Sequence, residues 1–201
     1  AAQSENTDQK QTDGDRTDTA EADVTEEALQ DNENTEKSSK VLVAYYSATG
    51  NTKAAAETIA DAAGGELFEL QPAEAYTTED LDYNDPESRV CKEHEDPDLQ
   101  DVKLEEVTPE SFSNANVVFL GYPIWWGEAP RIGSTFIESY DFSGKTVVTF
   151  STSGGSGHND RSIKELASGA NWVTGARLKS NSSQSDVADW INGLGLDITV
   201  K

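Results

Sequence analysis

The chain has no methionine and only one cysteine, Cys91, among its 201 residues. A lone cysteine excludes an internal disulfide and any thiolate-rich metal centre. Basic residues are scarce as well: 15 Lys and Arg stand against 38 Asp and Glu, a formal charge of −23. Charge of that sign repels a phosphate backbone, which argues against nucleic-acid binding, and it leaves no basic patch for an anionic membrane. No apolar run approaches the ~20 residues needed to span a bilayer. The missing methionine extends to position 1, so a segment is expected ahead of Ala1, either a cleaved signal or a cloning boundary.

What is present is unevenly distributed. Ala1 to Ser39 holds almost nothing that can be buried and carries 12 acidic and 3 basic residues, about −9; the remainder carries 26 and 12, about −14. The division expected is a disordered acidic tail or linker over 1–39 and one domain over 40–201. Such a tail, spanning about 35 Å r.m.s. as a coil, suits a spacer between a membrane anchor and an extracytoplasmic domain. A tail with no task on a cytoplasmic protein is the alternative.

From Lys40 the pattern alternates strand and helix. Val41–Tyr46, Leu67–Leu70, Val117–Gly121, Thr146–Phe150 and Asn171–Leu178 read as strands, the first buried on both faces. Ala56, Ile59, Ala60 and Ala63 mark a helix stopped by Gly64-Gly65. Pro130 opens a second helix with Ile132, Phe136, Ile137 and Tyr140 on one face. Ile163, Leu166, Ala167 and Ala170 predict a third, and Val187, Trp190, Ile191 and Leu194 a closing one. Residues 72–115 form a long polar excursion with one short helix. Strand followed by helix, repeated, predicts an α/β open parallel sheet covered on both faces.

In such sheets the ligand crevice lies beyond the carboxyl ends of the strands, which singles out three loops. Ser47-Ala48-Thr49-Gly50-Asn51-Thr52 packs hydroxyls, an amide and a glycine at a helix start, where free N–H groups and the dipole favour a phosphate. No Walker or dinucleotide glycine motif accompanies it, and a single N-cap would need only one hydroxyl. Tyr122-Pro123-Ile124-Trp125-Trp126-Gly127 places two adjacent indoles at a strand end. Adjacent residues diverge in direction, so at least one indole should line the crevice and stack on a planar ligand. Trp172 and Trp190 read as core. Thr152-Ser153-Gly154-Gly155-Ser156-Gly157 frees backbone N–H groups toward a heteroaromatic edge or an anion.

The first of these loops resembles the flavin mononucleotide (FMN) phosphate loop of flavodoxins, Ser/Thr-x-Thr-Gly-x-Thr, and the other two are similar to the flavin loops of flavodoxin-like proteins, including quinone reductases of that fold. The resemblance runs from Lys40 to the C-terminus. It implies a three-layer, five-stranded sheet in the order 2-1-3-4-5 known for flavodoxins, with helices on both faces. It further implies that Ser47, Thr49, Gly50, Asn51 and Thr52 hold the phosphate, that Pro123, Ile124, Trp125, Trp126 and Gly127 contact the isoalloxazine, and that Thr152, Ser153, Gly154 and Gly155 line its polar edge. The excursion and the acidic tail depart from the basic fold.

The function so implied is electron transfer by bound FMN to a redox partner protein or a small quinone-like acceptor, with a monomer favoured. The alternative is an NAD(P)H:quinone-type oxidoreductase, commonly dimeric, with Trp126 and His158 as pocket candidates; His158 reads either as a proton donor or as an exposed residue before a helix. With only Lys53 adjacent to the phosphate loop, charge neutralisation is expected from dipoles and hydroxyls. A stacked indole and nearby carboxylates would disfavour a negative ring, predicting a low potential for the second electron and a sizeable neutral semiquinone. Cys91, Glu93, His94, Glu95 and Asp96 crowd together, but lacking a second His or Cys they read as a solvated acidic loop, and no metal is expected. Tyr76, Tyr83 and Arg89 serve either as a lid over the flavin or as plain surface.

Overall fold

The computed structural model describes residues 40–105, 109 and 111–201. The tail expected over 1–39, and residues 106–108 and 110 of the excursion, lie outside the described residues. Five strands form one sheet: β1 (Val41–Tyr45), β2 (Glu66–Glu69), β3 (Val117–Pro123), β4 (Thr146–Thr152) and β5 (Asn171–Arg177). All pair in parallel, in the spatial order β2-β1-β3-β4-β5. The helices are α1 (Asn51–Ala63), α2 (Arg89–Glu95), α3 (Arg131–Ser139), α4 (Arg161–Leu166) and α5 (Gln184–Gly193). The architecture expected from the sequence is therefore present in both layer count and strand order.

Strand alternation explains the three layers. Leu42, Ala44, Val118, Leu120, Tyr122 and Val147 bury on one face of the sheet against Ile132, Phe136 and Ile137 of α3 and Ile163 of α4. Their neighbours Val43, Tyr45, Phe119, Val148 and Phe150 bury on the other, against Ala56 and Ile59 of α1 and Val187 and Ile191 of α5. Successive side chains point to opposite faces, so the central strands must be apolar throughout. The half-buried Trp172 joins the first core and Trp190 the second. The excursion adds Val102 and Phe112 to the α3 side, and Thr135 ties α3 to it through the Val102 carbonyl at 2.8 Å.

The boundaries differ from the sequence reading in instructive ways. β3 and β4 run on through Pro123 and Thr152, because Tyr122 and Pro123 pair with Ser151 and Thr152, so part of each presumed loop is strand. α4 ends at Leu166, before the expected Ala167 and Ala170; the Ala167 carbonyl accepts from the Trp172 indole at 2.9 Å, and the chain turns there. Leu67 on the edge strand β2 is exposed. No helix among the described residues is long and apolar enough to cross a membrane.

Candidate functional site

At the carboxyl ends of β1, β3, β4 and β5 the loops enclose a cleft of about 910 Å³. Its first wall is the β1–α1 loop. Gly50 precedes the helix with φ 84°, a left-handed conformation that glycine adopts without penalty, and no side chain caps the helix. The first intrahelical bond runs from Ala54 N–H to the Gly50 carbonyl at 3.0 Å. The N–H groups of Asn51, Thr52 and Lys53 therefore have no acceptor among the described residues. The Ser47 hydroxyl is buried and has no hydrogen-bond partner. Buried polar atoms are nearly always paired, and an uncapped helix end is a place where an anion can be held.

The remaining first-loop hydroxyls are already arranged. Asn51 Nδ2 donates to Thr49 Oγ1 at 3.1 Å, leaving both side chains on the cleft wall. Thr52, fully buried, shares a 2.8 Å bond with Thr152 Oγ1, which joins the first loop to the end of β4.

The second loop is a tight hairpin. Trp125 and Glu128 exchange two backbone bonds of 2.9 Å, and the two residues between them, Trp126 (φ 49°) and Gly127 (φ 82°), are both left-handed. This is the two-residue turn whose twist matches paired strands, with an indole where glycine or asparagine is usual. Asn159 Nδ2 clamps the turn through the Gly127 carbonyl at 2.9 Å. Trp125 is wedged edge-on between Tyr46 and Tyr76, with centroids at 5.8 and 5.6 Å. Trp126, 45% exposed, lies flat on His94 of α2 at 4.4 Å and 6° between planes. Both indoles reach the cleft.

The third loop contributes Thr152, Ser153, Gly154 and Ser156 to the lining, with Ser153 Oγ donating to the Ser156 carbonyl. Of the residues anticipated from sequence, Thr49, Asn51, Thr52, Pro123, Ile124, Trp125, Trp126, Thr152, Ser153 and Gly154 face the cleft. Ser47, Gly50, Gly127 and Gly155 are not among its lining residues.

His158, weighed as a proton donor, is not among the lining residues. Its Nδ1 lies 2.8 Å from Ser151 Oγ and its Nε2 3.0 Å from Thr149 Oγ1. Because Thr149 gives its own proton to Asp160 at 2.9 Å, Oγ1 must accept from Nε2–H, while Nδ1 is paired with the Ser151 hydroxyl. Both ring nitrogens are occupied, burial favours the uncharged ring, and it does not line the cleft. Burial lowers its pKa more than the neighbouring Asp160 raises it. Burial opposes the ionisation of Asp160, yet hydrogen bonds from Lys164 and Thr149 hold that carboxyl below its ordinary range.

The excursion supplies the outer wall with Leu81, Tyr83 and Val90. Tyr76 sits behind Trp125, donating to Glu93 at 2.6 Å while the Arg89 guanidinium stacks on its ring at 4.0 Å and bonds Glu93 at 2.6 Å. Burial and Glu93 push the Tyr76 phenol well above its ordinary pKa, so the trio is a fixed buttress. Only Tyr83, 74% exposed, stands at the rim as a lid residue would. Cys91 Sγ faces the Asp82 and Tyr83 carbonyls, and among the described residues no three His, Cys, Asp or Glu side chains are grouped to hold a metal.

Sequence reading missed the β5 end, where Arg177, Leu178, Lys179, Ser180 and Asn181 complete the lining. The rule that ligands gather beyond strand carboxyl ends covered this loop equally; its plain composition hid it. No carboxylate lines the cleft among the described residues; Glu93 and Glu128 lie with Trp125 and Trp126 along a neighbouring groove.

Residues 40–194 match the family model for flavodoxin. A protein from Bacteroides eggerthii DSM 20697, assigned as a flavoprotein, is 41% identical; the alignment covers 79% of this chain and 99% of that one, with a TM-score of 0.72. One from Bacteroides uniformis ATCC 8492, similarly assigned, is also 41% identical over 78% and 99%, with a TM-score of 0.70. A flavoprotein from Lactobacillus acidophilus NCFM, solved in complex with FMN, shares the fold at 22% identity over 77% and 99%, with a TM-score of 0.54. A comparison with curated proteins finds no match.

Proposed function

This chain belongs to the flavodoxin family, and from that membership we propose that it binds FMN in the cleft and carries electrons to a partner protein, one at a time. The observation that carries the reading is the first loop: three helix N–H groups and the Ser47 hydroxyl, all without a partner among the described residues, belong to one short loop at the carboxyl end of β1. Those donors suit a dianionic ester, which the helix dipole favours without a nearby cation. Ser47, Thr49, Gly50, Asn51 and Thr52 hold the phosphate. Trp125, fixed by Tyr46 and Tyr76, offers a rigid wall to a planar ring, and Ser153 and Gly154 offer polar groups to its edge. Bound flavin supplies the redox chemistry; the protein orients it and keeps water from one side.

Beside Trp126, the quinone-reductase alternative had His158 as one of its pocket candidates. Engagement of that ring with Ser151 and Thr149 supports the carrier reading instead. An acidic body favours a partner with a basic docking face.

The test is a titration of the apoprotein with FMN, followed by stepwise photoreduction. Tight binding with a one-electron form visible in the spectrum is the expected result, and NAD(P)H turnover with a quinone should be absent unless a separate reductase is added. Ser47→Ala should weaken FMN binding about tenfold, as for loss of one hydrogen bond to a charged group. Unchanged affinity in that variant would remove the phosphate from this loop.

A further inference from the structure

In charge, the cleft is unlike the molecule that surrounds it. The chain carries 38 Asp and Glu, yet the charged side chains lining the cleft, among the described residues, are both cations: Arg177 and Lys179. Arg177 ends β5, in register with Ser151 of β4, and Leu178 N–H anchors the crossing by donating to the Ser151 carbonyl at 2.8 Å. The Arg177 guanidinium folds back over the third loop, where Nη1 donates to the Ser156 carbonyl at 3.3 Å. Lys179 opens the turn into α5, its N–H bonded to Ser182 Oγ at 3.1 Å.

Five other described cations find carboxylates, Lys53 with Glu69, Arg89 with Glu93, Lys92 with Glu87, Lys103 with Asp101 and Lys164 with Asp160, while Arg131 and Lys145 turn to backbone carbonyls away from the cleft. Neither Arg177 nor Lys179 forms an ion pair among the described residues. What sets these two apart is their place: they line a cleft in whose lining no carboxylate stands among the described residues, a setting that suits negative charge on a ligand. The sheet order separates this end from the phosphate seat by the three spacings β1-β3, β3-β4 and β4-β5, about 14 Å at ~4.8 Å each. A phosphorylated ligand seated on α1 that extends across β3 and β4 brings its far end to these cations.

We propose that Arg177 and Lys179 hold the negative charge that the ring of bound FMN acquires on full reduction. The proposal rests on the FMN reading above. Full reduction adds two electrons, delivered singly by a low-potential electron-transfer protein, and one proton from solvent. The ring then bears one negative charge, and no bond in the protein is made or broken. A cation beside the ring favours that form over the neutral oxidised one, so the pair raises the midpoint potential. This is opposite to the effect expected of carboxylates.

The experiment is a spectroelectrochemical titration of the FMN-loaded protein and of Arg177→Gln, Lys179→Gln, their double variant and Arg177→Lys. In the double variant the preference for reduced over oxidised FMN should fall about tenfold, moving the two-electron midpoint about 30 mV more negative. Arg177→Lys should keep most of the wild-type value, and added salt should move the wild type toward the double variant. An unmoved midpoint in the double variant, with FMN bound, overturns the inference alone. So does an unmoved midpoint accompanied by weakened NAD(P)H binding, which would assign the cations to a second anionic ligand. Failure of the wild type to bind FMN would overturn the FMN reading and this inference with it.

Discussion

One imidazole holds together the polar cluster beneath the third loop. His158 joins Ser151 and Thr149, while Asp160 links Thr149 to Lys164. Its pKa is lowered by burial, so between the folded value and the ordinary ~6.5 the unfolded chain binds more protons than the folded one. The stability His158 contributes is therefore complete above about pH 6.5 and declines as pH falls toward the lower folded value. Thermal midpoints measured from pH 7.5 down to 5.5 should drop in the wild type and drop less in His158→Gln. Trp126 shows a second kind of local demand. An indole at φ 49° is held in a conformation costing roughly 1–2 kcal/mol, offset by the His94 stack and the hairpin bonds.

Among the elements, β3 and β4 set the tightest constraint. Gly121 lies against the ring of fully buried Phe150, where an added Cβ would come within 2.1 Å of Cζ. The central strands approach the aromatic layer this closely because α1 and α5 cover that face with small and branched residues. Gly121→Ala should cost about 1–3 kcal/mol through overpacking, read as a lower denaturant midpoint with unchanged slope. On the β4–β5 side the register slips between Val148 and Phe150. Gly175 at that irregularity has Thr149 and His158 where its side chain would be, which joins the bulge to the polar cluster.

For the whole molecule, charge is the dominant quantity. A formal −23 repels itself in a compact state, and that repulsion is screened over about 10 Å at 0.1 M salt. The thermal midpoint should accordingly rise between about 10 and 150 mM NaCl; a flat or falling midpoint would show that local ion pairs such as Arg89–Glu93 outweigh the net repulsion. Acidic residues covering the body and absent from the cleft lining make two surfaces with different tasks. The outer one repels other acidic chains, and the inner one accepts an anion.

How much of this was legible in one dimension follows from the range of the forces involved. Five strands, their parallel pairing and the helix start after the first loop were readable because periodicity and helix-start chemistry are written in neighbouring residues, as in Val41–Tyr45 and Ser47–Thr52. The helix end at Leu166, the tie between Thr52 and Thr152, and the burial of His158 were not, since each depends on a partner distant in the chain or on the turn made to meet it. Arg177 and Lys179 belong to the same class. Nothing in their neighbours marks them, and they acquire meaning only because parallel pairing brings the end of β5 beside β4 and the mouth of the cleft. Local pattern sets which segments become strand or helix; packing across the sheet sets which side chains share a site and which charges are left without a partner.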